Sequence, residues 1–195
     1  MSKKIIFFDT ETNGLNGNTS SVLSISALKC VFNGTDVDTI KDRYNRFYFR
    51  RSREAPNAFA MECNGLTDDV IRDYRQGVEY PKYFREDMQS FKDFCAGAIR
   101  FVGHKIDFDA QFLDFELKRT FCTMEENKNI MKLKNCNGRI KNPKLAEAAC
   151  FYRISVDEDK CHGSEYDTLL CYEIFKKMLA RKRSRQRVLG FLEKR

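Results

Sequence analysis

The sequence has no long apolar run. None of its hydrophobic stretches approaches the ~18–20 residues that a membrane-spanning helix needs, which argues against an integral membrane protein. The apolar run that follows MSKK is short, ends at two acids and has no small-residue cleavage site behind it, so we do not expect a secretory signal peptide. We therefore expect a cytoplasmic protein that has no membrane partner.

The cysteines lack a pairing pattern. Eight of them are scattered along the chain without a CxxC pair or the spacing of a disulfide framework. In a cytosolic chain they are expected to be free thiols or small buried side chains. Cys161 and His162 are adjacent, but no second pair has the spacing of a zinc site. The sequence predicts neither a disulfide framework nor a structural zinc ion.

The chain also lacks internal repeats and low-complexity linkers, and its 195 residues suit one domain with a substantial core. Its net charge of +7 is concentrated at the carboxyl end, where residues 176–195 hold nine basic residues and one acid. We predict a domain over residues 1–180 and a basic helical extension of it over residues 181–195. The basic segment is consistent with a polyanion-binding surface and equally with a solubilising helix end.

The first third of the chain is predicted to form three strands. Ile5–Phe8 is apolar without alternation, as in a strand buried on both faces. Ser21–Phe32 alternates apolar with polar residues, and Asp42–Arg51 alternates aromatic with basic residues. The turn signal NGTD lies between these two segments. Consecutive strands of this kind predict an antiparallel meander.

Helical spacing dominates after Pro56. We predict a helix that ends at Asn64-Gly65, a short helix that starts at Thr67, and one further strand, at residues 99–104. The remaining predicted helices lie within residues 80–98, 107–121 and 143–152 and from 166 to the end, with a break near Gly190; residues 123–143 are predicted to be irregular. Strands followed by mixed helices and strands predict an α/β fold with a mixed sheet.

Two acids, Asp9 and Glu11, stand at the carboxyl end of the first predicted strand. Residues i and i+2 of a strand share a face, so the two carboxylates point to one side if the strand continues through them. They repel each other unless a cation neutralises them, and such strand ends form the ligand crevices of open α/β sheets. The alternative is a local cap, with Asp9 or Thr10 capping a turn and Glu11 exposed.

Two later segments each place acids close to a histidine. GHKIDFDAQFL places Asp107 and Asp109 after a predicted strand that ends at His104. HGSEYD places Asp167 five residues after His162, at the start of the last helix. Helix capping would also explain Asp109 and Asp167.

Together the segments FFDTETNGL, GHKIDFDAQFL and HGSEYD resemble the three exonuclease motifs of the DEDD superfamily, His-type branch. This family includes the epsilon proofreading subunit of the bacterial replicative polymerase, ribonuclease T and oligoribonuclease. The order and internal spacing agree over nearly the whole chain, from about Lys4 to Met178. The resemblance implies a ribonuclease H-like α/β fold, in which a mixed central sheet is flanked by helices.

The resemblance also implies the roles of five residues. Asp9, Glu11, Asp109 and Asp167 would bind two divalent ions, Mg²⁺ or Mn²⁺, and His162 would deprotonate the attacking water. The second motif selects Asp109 rather than Asp107. All-oxygen acidic ligands suit hard cations, two such ions can activate water and stabilise a leaving oxygen, and histidine titrates near neutrality.

The resemblance further implies that five residues contact the substrate: Thr10, Gly14, Leu15, Asn64 and Phe108. The family's frequent His-Gly-Ile element appears here as Asn64-Gly65-Leu66, and Lys105 stands where relatives often have asparagine. Lys105 is open to two interpretations, a phosphate contact or a solvated side chain.

The sequence thus predicts a metal-dependent 3′→5′ exonuclease of single-stranded or frayed DNA that releases nucleoside monophosphates. One alternative is the same chemistry on RNA, and another is a catalytically silent nucleic-acid-binding module on the same fold. Several members of the family are homodimers, and a proofreading role would require a polymerase partner; the sequence leaves both partners open.

Overall fold

The computed structural model describes residues 3–193, except for the side chains of residues 39–41. Five strands form one sheet in the order β3-β2-β1-β4-β5. They are β1 (Lys3–Thr12), β2 (Val22–Phe32), β3 (Val37–Phe47), β4 (Arg100–Gly103) and β5 (Arg119–Cys122). Strand β2 is antiparallel to both β1 and β3, whereas β4 is parallel to β1 and β5 is parallel to β4. The predicted meander and mixed sheet are confirmed.

Eight α-helices accompany the sheet within residues 3–193. They are α1 (Ala58–Asn64), α2 (Asp68–Tyr74), α3 (Phe84–Phe94), α4 (Ile106–Ala110), α5 (Thr123–Met131), α6 (Leu145–Phe151), α7 (Ser164–Ala180) and α8 (Lys182–Glu193). The predicted end of the first helix is confirmed, because Gly65 takes the left-handed backbone conformation at the cap of α1. Thr67 caps α2 through its hydroxyl, as its sequence position indicates.

The central strand β1 is buried on both faces. Ile5 and Phe7 belong to the core beneath α5 to α8, and Ile6 and Phe8 belong to the core beneath α3 and α4. Because successive strand side chains point to opposite faces, both parities must be apolar, which explains the uninterrupted run in the sequence. No helix among the described residues is long and apolar enough to cross a membrane.

The helix predicted over residues 107–121 is wrong in extent. Only α4, with five residues, is helical, and the chain then passes through turns and bends into β5, which the sequence interpretation missed. Burial alternates along Leu113, Phe115 and Leu117 up to Phe121. The same apolar residues also fit helical spacing together with Phe108 and Phe112, so the two periods could not be separated in the sequence.

The irregular segment predicted over residues 123–143 is also wrong in its first part, because α5 occupies Thr123–Met131. The buried stripe of this helix includes two polar residues, Thr123 and Asn127. Asn127 donates to the carbonyl of Thr123 at 2.8 Å and accepts from the hydroxyl of Tyr152 at 2.6 Å. Because hydrogen bonds satisfy this stripe, hydrophobic periodicity does not reveal it.

Two predicted boundaries need correction. The last helix breaks at Arg181 and not at Gly190, which lies inside α8. Arg181 has extended backbone angles, and the buried Ser184 hydroxyl donates to the carbonyl of Met178 at 2.7 Å, which closes the end of α7. The third strand begins at Val37 and ends at Phe47, so it starts before Asp42 and stops before Arg51.

Candidate active site

The strand β1 carries the first two carboxylates on one face. It extends through Asp9 and Glu11, which pair with Ser26 and Ser24 of β2. Both acids therefore follow Ile5 and Phe7 on the face that α7 covers. This arrangement brings the first turn of α7, with Asp167, over the end of β1.

Three carboxylates meet at this edge of the sheet. One oxygen each from Asp9, Glu11 and Asp167 lies within 4.8 Å of the other two. Oxygens at this spacing can converge on one hard divalent cation, which binds carboxylates at about 2.0–2.6 Å. The donor set is all oxygen and anionic, so it fits Mg²⁺ or Mn²⁺ better than a soft metal.

Asp109 lies beside this cluster but is oriented by Thr10. It is 3% exposed, and its Oδ1 accepts from the Thr10 backbone N–H at 3.0 Å and from the Thr10 hydroxyl at 2.7 Å. Asp107, two residues earlier, is exposed. The geometry therefore favours Asp109 over Asp107 as the fourth acid. It also engages Thr10 inside the protein, so contact between Thr10 and substrate remains a prediction.

Burial raises the pKa values of all four acids, and repulsion by neighbouring carboxylates adds to this at Asp9 and Glu11. Burial, followed by the charges of Asp109, Glu11 and Asp167, raises the pKa of Asp9 well above its ordinary value. Burial and the charges of Asp167 and Asp109 raise the pKa of Glu11 to about 8. A bound cation would oppose both effects, which is the electrostatic reason that this cluster fits one.

For the other two acids, hydrogen bonds and nearby positive charges within the protein partly oppose the rise in pKa. Burial raises the pKa of Asp109 to about 7 against the hydrogen bonds from Thr10 and the charge of Lys105. Burial raises the pKa of Asp167 to about 6 against the charge and the backbone hydrogen bond of His162. Lys105 itself is exposed and sits in the left-handed backbone region at the start of α4, with φ 77°.

His162 stands at the edge of the cluster on an exposed loop. Its backbone is also left-handed, with φ 63°, an uncommon conformation for a residue with a side chain. The loop follows a short 3₁₀ helix at Glu158–Lys160 and leads into α7. His162 is thus close enough to act on the electrostatics of Asp167 and remains open to solvent.

A cleft of about 560 Å³ opens beside His162. One wall is formed by the loop that contains His162 and by the first turns of α7. The other wall is formed by residues of β2, β3, α1 and α2 and of the link between the two helices. The wall on the strand and helix side is formed by Ser24, Asn45, Phe47, Asn64, Leu66 and Tyr74. This volume is within the usual range of small-ligand pockets, 300–1,000 Å³.

The structure brings one of the predicted substrate residues into this cleft. Asn64 lines it, donates to the carbonyl of Thr12 at 3.3 Å and hydrogen-bonds Glu11. Gly14 lies in the loop after β1, where a Cβ atom would come within 2.6 Å of the Ser20 hydroxyl. Leu15, next to it, is 81% exposed.

Phe108 is not one of the residues that line the cleft. It is half-buried on α4 next to Asp109, and its ring packs against Phe112 with centroids 5.5 Å apart. The Lys105 ammonium lies 5.0 Å from the centre of the same ring. Substrate contact by Gly14, Leu15 and Phe108 remains a prediction.

The sequence interpretation missed a set of serines that anchors α7. Ser164 is buried, and its hydroxyl lies 2.9 Å from that of Ser24 and 2.8 Å from that of Ser26. Thr168 adds a bond to the Ser26 carbonyl at 3.2 Å. These bonds fix the turn that carries Asp167. Two serines at i and i+2 in an otherwise apolar strand were the available sequence signal.

The second histidine, His104, connects the elements that surround the site through hydrogen bonds at both ring nitrogens. Its Nδ1 lies 3.0 Å from the Thr123 hydroxyl and its Nε2 lies 3.0 Å from the carbonyl of Pro143. Burial lowers the pKa of His104 to about 4 against the hydrogen bond to Pro143, so the ring is neutral at neutral pH. It ties the end of β4 to the starts of α5 and α6.

Several solved structures share this fold. E. coli Exonuclease I in complex with a dA16 oligonucleotide superposes with a TM-score of 0.73 at 12% identity, over 98% of this chain and 43% of that chain. Exonuclease X in complex with 5′ overhanging duplex DNA superposes with a TM-score of 0.62 at 15% identity, over 92% of each chain. The predicted ribonuclease H-like fold is confirmed.

Sequence relatives point the same way. The DNA polymerase III PolC-type protein of Mycoplasma genitalium is 26% identical over 185 residues, which are 87% of this chain and 11% of that protein. The DNA polymerase III subunit epsilon of Treponema pallidum is 26% identical over 180 residues, 89% of this chain and 75% of that protein. The chain thus spans about a tenth of the PolC-type relatives that it matches.

The family model described as Exonuclease matches residues 6–175. This range contains all three motifs, from Asp9 to Asp167, and every residue predicted for the site. The expected resemblance is therefore confirmed at the level of the family: the chain belongs to the exonuclease family.

Proposed function

We propose that this chain is a metal-dependent 3′→5′ exonuclease that removes nucleoside monophosphates from DNA 3′ ends. The observation that carries the proposal is the convergence of Asp9, Glu11 and Asp167 at the sheet edge, with His162 beside them on an open cleft. Asp109, buried next to the cluster, completes the proposed set of ligands for two divalent ions.

The residues of the chain have distinct tasks in this reaction. The four carboxylates hold the ions, and the ions, when bound, supply charge stabilisation at the attacking and leaving oxygens. His162 accepts a proton from the attacking water at an imidazole nitrogen. The new bond joins the water oxygen to phosphorus, and the bond from phosphorus to the 3′-oxygen breaks. The products are a nucleoside 5′-monophosphate and a strand shortened by one nucleotide with a free 3′-hydroxyl.

Names of similar proteins support DNA as the substrate. The relatives are named as components of DNA polymerase III, and the two superposed exonucleases were solved with DNA. A polymerase partner, a homodimer and the cytoplasmic location stay predictions from the sequence. An exoribonuclease of the same mechanism is an outcome that the test below distinguishes.

The test uses 5′-labelled single-stranded DNA and RNA of the same sequence with Mg²⁺, Mn²⁺ or EDTA. We expect a metal-dependent ladder that shortens from the 3′ end of DNA. Asp109→Asn should lower the rate by about 10²–10³-fold, because it removes a ligand worth several kcal/mol in the transition state. His162→Gln should also slow the reaction by about 10²–10⁴-fold, the usual contribution of a general base.

Asp107→Asn is the matched control, because Asp107 is an exposed acid two residues from Asp109. It should cleave at the wild-type rate. Faster shortening of RNA would move the proposal to the exoribonuclease. Absence of cleavage of either strand with either metal would refute the enzymatic proposal and favour a binding module.

A further inference from the structure

We propose that the stacked rings of Phe47 and Tyr74 are a platform on which a nucleobase of the bound strand stacks. This inference rests on the proposed function and adds a base-binding position to the same cleft. Neither ring belongs to the three sequence motifs.

The two rings form an open stack in the wall of the cleft. Their centroids are 4.3 Å apart and their planes differ by 13°, so they are nearly parallel. Phe47 is half-buried, whereas Tyr74 is 60% exposed. One face of Tyr74 therefore rests on Phe47. Both rings line the cleft that also contains His162, so ring surface is available there to a ligand.

Hydrogen bonds anchor the backbone of Phe47 beneath the stack. The guanidinium of Arg75 donates to the carbonyl of Phe47 at 2.6 Å and to the carbonyls of Tyr80 and Pro81 at 2.6 and 3.2 Å. The Phe47 backbone N–H donates to the hydroxyl of Tyr80 at 3.0 Å. Arg75 also lies 3.9 Å from the centre of the Tyr80 ring. A ring carried on an anchored backbone loses less conformational freedom when a base stacks on it.

The surroundings suit a nucleotide. An aromatic face binds any base, because every base has a π-face, and each stacked base contributes substantially to binding of single strands. Asn45 and Asn64 add amide groups to the same wall. The opposite wall carries the ammonium of Lys160, which is ion-paired with Asp157, and the carboxylates of Asp159 and Glu165. The volume of about 560 Å³ accommodates a nucleoside-sized ligand between these walls and His162.

A purely structural role for the stack is the competing explanation. Phe47 also packs against the small core of Leu23, Leu66 and Ile71, so Tyr74 could simply fasten α2 to β3. The two roles differ in one consequence. Only a base platform makes the effect of Tyr74 depend on a particular base of the substrate.

The experiment is a double-mutant cycle that combines substitution of Tyr74 with removal of single bases from the bound strand. Binding of a 5′-fluorescein-labelled oligothymidylate is measured by anisotropy in EDTA, which stops hydrolysis. Four further oligonucleotides each lack one base, at the first to the fourth position from the 3′ end. Tyr74→Ala should weaken binding of the complete strand by about 5- to 150-fold, the range for loss of one aromatic–base stack. One abasic strand should lose this sensitivity to Tyr74→Ala.

Three companion variants separate stacking from folding. Tyr74→Phe keeps the ring and should bind like the wild type, whereas Tyr74→Leu keeps apolar bulk and should bind like Tyr74→Ala. Val78→Ala removes another exposed apolar side chain close to α2, outside the cleft wall, and should have no effect. Thermal unfolding of each variant shows whether α2 remains folded.

Equal affinity of Tyr74→Ala and wild type for the complete strand would overturn the platform. The same loss on all five strands would also overturn it, because Tyr74 would then act through the position of α2. If the wild-type protein neither binds nor cleaves any strand, the proposed function itself fails. These outcomes are distinct, because the first two require a wild type that binds DNA.

Discussion

At the scale of single residues, the charged forms of the four buried acids destabilise the folded protein. Burial raises the pKa values of Asp9, Glu11, Asp109 and Asp167, and repulsion raises those of Asp9 and Glu11 further. A folded state that holds protons more tightly than the unfolded chain is stabilised as the pH falls. The metal-free protein should therefore lose stability as the pH rises through the raised values, which are about 6 for Asp167, 7 for Asp109 and 8 for Glu11.

Metal ions should reverse this trend, since only deprotonated carboxylates bind them. We expect Mg²⁺ to raise the melting temperature more at about pH 8.5 than at about pH 5.5. Differential scanning fluorimetry with and without Mg²⁺ measures both shifts. Glu11→Gln should reduce the shift at the higher pH, while Asp107→Asn should leave it unchanged. Equal shifts at both pH values would show that this cluster is not the binding site.

At the scale of elements, the two-sided burial of β1 positions the site. The Phe7 ring is fully buried and meets Tyr172 and Phe175 of α7, each with centroids 5.3 Å apart. Two residues further along the same face is Asp9. The contact between β1 and α7 therefore belongs to the core and also positions the candidate site.

Phe7→Ala should lower the free energy of unfolding by about 3–5 kcal/mol, the usual cost of emptying such a site. Phe59→Ala is the matched control, because that ring is 75% exposed, and the change should stay within about 0.5 kcal/mol. Urea denaturation of both variants measures the difference. A small loss for Phe7→Ala would mean that α7 closes onto the sheet without this ring.

The serine anchor of α7 makes a second prediction about elements. Ser164→Ala removes the hydroxyl shared with Ser24 and Ser26 and should cost about 1–3 kcal/mol, because a buried partner loses its bond. Activity should fall by up to about 10²-fold, since a shift of about 1 Å in Asp167 would misplace a ligand. Ser155→Ala, at an exposed position, is the control. Unchanged kcat with lowered stability would limit the anchor to a structural role.

At the scale of the whole molecule, the basic carboxyl end lies far from the acids. Residues 167 to 180 of α7 span about 20 Å. Beyond them, α8 ends near the start of β1, where the Lys3 ammonium donates to the carbonyl of Glu193 at 3.2 Å. The basic residues of α8 therefore sit at the end of the sheet opposite the candidate site. Their role as an extension of the domain over residues 181–195 stays a prediction.

Four exposed basic residues at this corner have neither an ion-pair partner nor an aromatic ring beside them among the residues that the structure describes: Lys177, Lys182, Arg183 and Arg185. Replacing all four with glutamine should change kcat/KM for a tetranucleotide by less than about twofold, because charges about 20 Å away are screened. Steady-state cleavage at physiological salt measures this. A marked fall would place the corner within reach of the reacting nucleotide. The same assay on a long strand shows whether the corner contacts the backbone.

Much of the site could be predicted from local pattern. The buried strand that leads to Asp9, the cap at Gly65 and the position of Asp167 at a helix start all depend on neighbouring residues, whereas the sequence left open whether the strand continues through Glu11. Helix α5 was missed because its buried face contains polar side chains, which are hydrogen-bonded inside the protein and do not add to the hydrophobic pattern. Where two periods fitted the same apolar residues, as before β5, the sequence could not choose.

The sequence by itself determined the three motifs, the family to which they belong and the α/β fold class. Each depends on residue type and on separations of a few positions. Only the tertiary structure decided that Thr10 holds Asp109, that serines fix α7, and that Tyr74 lies across a cleft from His162. These relations join residues about 90 to 140 positions apart. They depend on which strands pair and which helix covers which face, and no local pattern contains that information.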